Sequence, residues 1–168
     1  MDAPIINRVA NSVLLSIDLE EYFPEQERVI LDIKDQLFHG LILKEKDFRE
    51  YIKTEDWSKY KGKAVGIICS ADAVIPTWAY MLIAQKLSSE EVFFAFGDEK
   101  ILEAAQWNHI LSKINIEEFR DKPVVIKGCF NKPVPVYAYT EITRILTPVV
   151  KSLMFGEPCS TVPVYKRK

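Results

Sequence analysis

Hydrophobic and polar residues alternate from the start of the readable pattern. Val13, Leu15, Ile17 and Leu19 fall on one side and Leu14, Ser16, Asp18 and Glu20 on the other, the period of two that marks a half-buried strand. A second alternation at Val29, Leu31 and Ile33 predicts another. The polar EEYFPEQE between them, with Pro24, has the character of a hairpin loop, so the two strands are expected to pair antiparallel. Beyond Gly40, LKEKDFREYIK carries Phe48, Tyr51 and Ile52 as a narrow apolar stripe on a charged helix. After Gly62 the texture changes. KAVGIIC, residues 63–69, is a short continuous apolar run, as expected of a strand covered on both faces. PTWAYMLIAQKL is apolar nearly all round and reads as a buried helix, with Pro76 suited to its first turn. EEVFFAF, 90–96, is the next strand, and Asp98 is placed to cap a helix running to about Lys113, its inner side supplied by Ile101, Leu102, Ala105, Ile110, Leu111 and Ile114. PVVIKG, 123–128, is a further strand. VYAYTEITRILTPVVKSLMFG then reads as a long helix, kinked or divided at Pro148 and stopped at Gly156. TVPVYK closes the pattern as an edge strand, where Pro163 is tolerated.

Strands alternating with helices from residue 63 onward imply crossover units. The expected fold class is α/β, a single domain over 1–168 with a mixed, mostly parallel sheet, helices on its faces, and an antiparallel β-hairpin in front. The order hairpin, helix, strand, helix, strand, helix also resembles the topology of anti-sigma-factor-antagonist (STAS) domains. Their Asp-Ser-Ser phosphoacceptor signature is missing around Ala73 to Thr77, so this is an analogy of architecture alone. No internal repeat, low-complexity stretch or long linker is read.

Composition narrows the classes. The 168 residues are 48% hydrophobic and 27% charged, far from the balance of disordered chains, and a chain of this size buries roughly 70% of its unfolded surface. Twenty-two Lys and Arg against 24 Asp and Glu leave a net charge of −2, which offers no field to draw in a phosphate backbone, so no nucleic-acid partner is expected. The terminal Lys166, Arg167 and Lys168 read as a solvated run. The most apolar stretch, Ala73 to Ala84, is 12 residues long and includes Pro76, short of the roughly 20 that a membrane span requires. MDAPIINRVANS lacks a basic region followed by an apolar core, so no export signal is expected. Three widely spaced cysteines are no disulfide framework. The expected compartment is the cytoplasm.

Ligands in open α/β sheets bind beyond the carboxyl ends of the strands, and two cysteines fall there. Cys69 ends one strand in CSADAVIPTW and Cys129 ends another in IKGCFNKPVP. If those strands are neighbours, Cys69, Asp72, Cys129 and Asn131 share a rim, and two thiolates with a carboxylate begin a zinc or iron site. Cys159 joins them only if the last strand runs antiparallel or the chain is redirected at Pro148. No pair has Cys-x-x-Cys spacing, so inert core thiols stand beside the metal reading. Thiol chemistry at Cys69, near a helix N-terminus, is the third reading. The oxyanion-binding Arg six residues after the Cys of cysteine phosphatases is replaced by Ile75 and Pro135, which excludes that chemistry at both sites. Asp72 has a simpler reading as the cap of the following helix. His39 and His109 each read as packing or surface side chains before they read as a ligand or base, Glu20 and Glu21 face opposite ways on a strand, and Tyr137 and Tyr139 read as core-edge aromatics before they read as a ligand wall. Six glycines form neither a G-x-G-x-x-G nor a Walker pattern.

The strings IINRVANS, LKEKDFRE, CSADAVIPTWAYM, VVIKGC, KPVPVYAY and VVKSLMFGEPCSTVPVYK together resemble a family of small uncharacterised bacterial proteins that carries a domain-of-unknown-function label. The resemblance covers essentially the whole chain. It implies encoding near iron–sulfur assembly proteins, an accessory role there, and a stake for Cys69, Cys129 and Cys159, which lie in three of the strings. The sequence therefore favours an accessory or binding protein without turnover of its own, taking a metal (zinc or iron) or a protein partner through the cysteine rim. A small thiol enzyme using Cys69 for sulfur transfer or redox work, and an interaction module or homodimer with buried cysteines, are its alternatives.

Overall fold

The structure, a computed structural model, describes residues 14–128 and 131–168. It is mixed α/β, and its strands form two sheets. β2 (Arg28–Asp32), β3 (Ala64–Ile68) and β4 (Phe93–Phe96) lie side by side and parallel in one. In the other the order is β1 (Leu15–Asp18), β5 (Pro123–Lys127), β6 (Ser152–Glu157) and β7 (Ser160–Lys166), parallel except for β7. Each sheet anchors a compact unit: a continuous one, Glu25–Gln106, and a discontinuous one built from the chain up to Pro24 and from Trp107 onward.

The expected hairpin at the front is absent, because β1 pairs with β5 and β2 with β3. The reason lies at the strand ends. Asp18 accepts a 3.0 Å hydrogen bond from the Glu20 N–H, and Asp32 one of 3.0 Å from the Lys34 N–H. Each closes a 3-10 turn (Leu19–Tyr22 and Ile33–Gln36) that carries the chain off its sheet instead of back along it. The likeness to anti-sigma-factor-antagonist topology began with that hairpin and goes with it. The antiparallel pair is at the other end of the chain, β6 with β7, and Pro163 sits in β7 on the sheet's edge as expected.

Helices α1 (Glu45–Thr54), α2 (Thr77–Ser89) and α3 (Glu99–Leu111) form where the periodicity puts them, and Asp98 caps α3 by accepting from the Ile101 N–H at 3.0 Å. The long helix read over 136–156 is a shorter one. α4 (Val136–Leu146) stops before Pro148, and Ser152–Glu157 is a strand that pairs with β5. An apolar run that short suits either state, and the open edge of β5 decides for strand.

Each unit has its own core. In the continuous unit Phe48 and Ile83 are fully enclosed, Trp78 stands edge-on to Phe48 at 6.0 Å, and the Trp57 indole donates to the Ile52 carbonyl at 2.9 Å. In the discontinuous unit Trp107, Leu111, Ile142, Leu146 and Leu153 are fully enclosed. Side chains of this size contribute roughly 1.5–3 kcal/mol each on burial.

The two units repeat one plan, which corrects the reading that the chain has no internal repeat. Shifting residue numbers by 59 carries Ala64↔Phe93, Val65↔Phe94, Gly66↔Ala95 and Ile67↔Phe96 onto Pro123↔Ser152, Val124↔Leu153, Val125↔Met154 and Ile126↔Phe155. The same shift carries the 3-10 turn Trp57–Tyr60, capped by Asp56, onto Ile116–Phe119, capped by Asn115. The leading strands obey a shift of 14 instead, Val29↔Val65 and Asp32↔Ile68 matching Leu15↔Val124 and Asp18↔Lys127. One copy is thus nested between the first strand and the remainder of the other. A single sequence period does not exist, so scanning for one finds nothing.

Candidate functional site

Both copies present the carboxyl ends of their parallel strands, the edge where α/β sheets keep their ligands. In the continuous unit this edge holds Asp32, Cys69, Ser70 and Tyr80. The Asp32 carboxylate accepts from the Ser70 hydroxyl, from the Ser70 N–H at 3.1 Å and from the Lys34 N–H at 3.0 Å, with the Lys34 ammonium 3.6 Å away. Partial burial pushes this carboxyl up, but the Ser70 hydroxyl and the two N–H donors, with the Lys34 charge, outweigh it and hold Asp32 below its usual value of 3.8. Cys69 is half-buried, and its thiol reaches the Ala71 carbonyl only at 3.9 Å. Burial, followed by the proximity of Cys69 and Asp32, raises the Tyr80 phenol above its ordinary value.

Since the Asp32 pKa is lower in the folded chain, the stabilisation from its contacts is present above the ordinary carboxylate value and is lost as pH falls through the folded one. Ser70→Ala is expected to move the Asp32 titration upward, read from the side-chain carboxyl carbon by NMR, and the stability gap between the two proteins should close in acid. An unmoved titration would show that Ser70 does not hold this carboxylate.

The predicted rim residues are divided between the units. Cys69 and the exposed Asp72 are in the continuous one. Asp72 does not cap α2, whose N-cap is Pro76 without a side-chain bond. Cys159 is exposed in the turn joining β6 to β7. Because β7 runs antiparallel, that turn stands at the rim where β5 and β6 end, meeting the condition set for Cys159 but in the other unit from Cys69. Cys129 lies outside the described residues, as does the N-terminal segment in which no export signal is expected. Asn131 is held by Glu20, which accepts its N–H at 2.9 Å. Among the described residues no group of three or more His, Cys, Asp and Glu side chains is arranged to hold a metal ion.

The rim of the discontinuous unit opens into a pocket that the sequence reading missed. Its volume is about 440 Å³. β5 and β6 contribute Ile126, Leu153, Met154 and Phe155, the segment before α4 contributes Val134, α4 contributes Val136, Tyr139 and Thr143, and β7 contributes Val164. The Tyr139 hydroxyl donates to the Gly128 carbonyl at 2.7 Å, and the Thr143 hydroxyl to the Tyr139 carbonyl at 2.7 Å. Gly128 makes that approach feasible. Its φ is +143°, and a Cβ there would lie 3.0 Å from that of Leu19 and 3.3 Å from the Tyr139 hydroxyl. Tyr139 stands edge-on to Phe155 at 5.7 Å, as its counterpart Tyr80 stands to Phe96 at 5.0 Å. KPVPVYAY held the signal, a Pro-bounded run whose Tyr139 lines the pocket. Only the antiparallel return of β7 completes the enclosure.

The family model described as protein of unknown function (DUF2480) matches residues 3–167. The chain belongs to that family. This DUF2480 chain matches no curated protein and no solved structure. No helix among its described residues is long and apolar enough to cross a membrane.

Proposed function

We propose that this DUF2480 protein is a binding protein without turnover of its own, and that the pocket between α4 and the β6–β7 hairpin holds the apolar chain of a small molecule. One observation carries the reading: the walls present aliphatic and aromatic groups, while the Tyr139 and Thr143 hydroxyls donate to backbone carbonyls. Such a surface stabilises an apolar body by removing it from water and offers it no acid, base or nucleophile. The volume, about 440 Å³, lies within the range of roughly 300–1,000 Å³ typical of small-molecule sites. The free thiols of Cys69 and Cys159 suit a reducing compartment, and we place the protein in the cytoplasm.

Titration with parinaric acid, a fluorescent fatty acid, tests the site. Val136 and Val164 are 76% and 53% exposed at its mouth, so Val136→Glu and Val164→Glu add charge there with little effect on folding. Saturable binding that each variant weakens at least tenfold is the expected result. Failure of the acid and its uncharged alcohol to bind, or binding that both variants leave unchanged, would overturn the proposal.

A further inference from the structure

The repeat shows what the continuous unit lacks. In the discontinuous unit the third parallel strand, β6, is covered along its outer edge by β7. Its counterpart β4 ends its sheet, and among the described residues no strand lies beyond it. Gly97 donates its N–H to the Ile67 carbonyl at 3.0 Å. By the alternation of strand backbone, the N–H and C=O groups of Phe94 and Phe96 therefore point to the outer side. The equivalent groups in β6 belong to Leu153 and Phe155, whose partners on β7 are Tyr165 and Val162. Phe155 is 39% exposed, whereas Phe96, with no described strand in the place of β7, is 66% exposed. The run Phe93–Phe96 also carries none of the charges, prolines or bulges that protect edge strands.

We infer that the outer edge of β4 is a docking site for an extended segment of a partner protein, which adds to the sheet as an antiparallel strand. Main-chain hydrogen bonds to Phe94 and Phe96 hold it, and an apolar residue opposite Phe96 takes the place of Val162. Charge selects its ends. Exposed Glu91 precedes β4, and exposed Asp98 and Glu99 follow it. A strand seated like β7 sets its counterpart of Lys166 opposite Phe93, the match of Ser152, two residues from Glu91. The occupant is therefore apolar in its centre and basic at its ends. β7 itself has the apolar centre and the basic end that would face Glu91, with Val162, Val164 and then Lys166, Arg167 and Lys168.

A synthetic peptide of residues Ser160–Lys168 is accordingly the probe, titrated into the full-length protein by fluorescence anisotropy. The expected result is saturable binding that slows amide exchange at Phe94 and Phe96. Glu91→Lys combined with Glu99→Lys, and separately Phe96→Glu, should weaken it at least tenfold while the circular dichroism spectrum is unchanged. Absence of binding would overturn the inference. So would binding that protects β6 amides instead, which reports replacement of β7, or self-association of the intact chain abolished by Phe96→Glu, which makes a second copy the occupant.

Discussion

Trp107→Ala is expected to lower stability by about 3–5 kcal/mol, the range for emptying a fully buried large aromatic site. Trp107 has no exposed surface and packs against Phe23 edge-on, their ring centroids 5.9 Å apart. Around it lie Leu111, Ile142, Leu146 and Leu153, all on helices or strands, so little can collapse into the space. Its buried indole N–H has no partner among the described residues. No hydrogen bond to a described residue is lost on truncation, and the cost is that of transfer and cavity. Trp107→Phe keeps most of the volume and removes an unsatisfied donor, and is expected to cost less than half as much. Urea unfolding, followed through the remaining Trp57 and Trp78, measures both. Equal losses for the two variants would contradict the cavity argument.

Gly66→Val is the second large effect, at or above the upper end of the ~1–3 kcal/mol usual for overpacking. A Cβ at Gly66 would stand 2.7 Å from the Gly97 carbonyl oxygen and 2.7 Å from Ile30 Cδ1. The other copy has a valine at this position and accommodates it. There Val125 pairs with Ser16 and Met154, where Gly66 pairs with Ile30 and Ala95. A large, empty, small row across three strands has become a small, medium, large one. Adding Ile30→Ser to Gly66→Val should therefore recover part of the loss, because it clears the side-chain contact and leaves the backbone one. A double-mutant cycle in urea reads the coupling; strict additivity would show that Ile30 and Gly66 do not share this space.

The same row shows how local patterns were legible and pairings were not. Asp98 before an amphipathic run announced α3, and Pro76 announced α2, because capping and proline geometry act over a few residues. Alternation at Leu15 and Ile17 announced a strand but carried no information about its neighbour. A half-buried strand meets the same pattern requirement against any sheet. That neighbour is Val124 and its successors, more than a hundred residues away, and a local turn capped by Asp18 prevented the nearer choice. Ser152–Phe155 failed for a related reason. Four apolar-rich residues fit a helix or a strand, and the partner edge decided.

For the candidate site, the sequence directed attention to the carboxyl ends of the strands, since that follows from parallel connections alone. It also marked Cys69, Asp72 and Cys159, but division between two units depends on a nesting that no single period reveals. The pocket required three elements from distant parts of the chain to meet: α4, β6 and the returning β7.

By itself, then, the sequence determined the α/β class, most helix boundaries, the mostly parallel connections and the family, because these depend on short-range periodicity, caps and residue matching. Tertiary structure alone decided which strands are neighbours, that the chain contains two nested copies of one plan, and where an apolar cavity opens. Those are outcomes of long-range pairing, in which hydrogen bonding along strand edges is indifferent to side-chain identity and the fit of whole faces makes the choice.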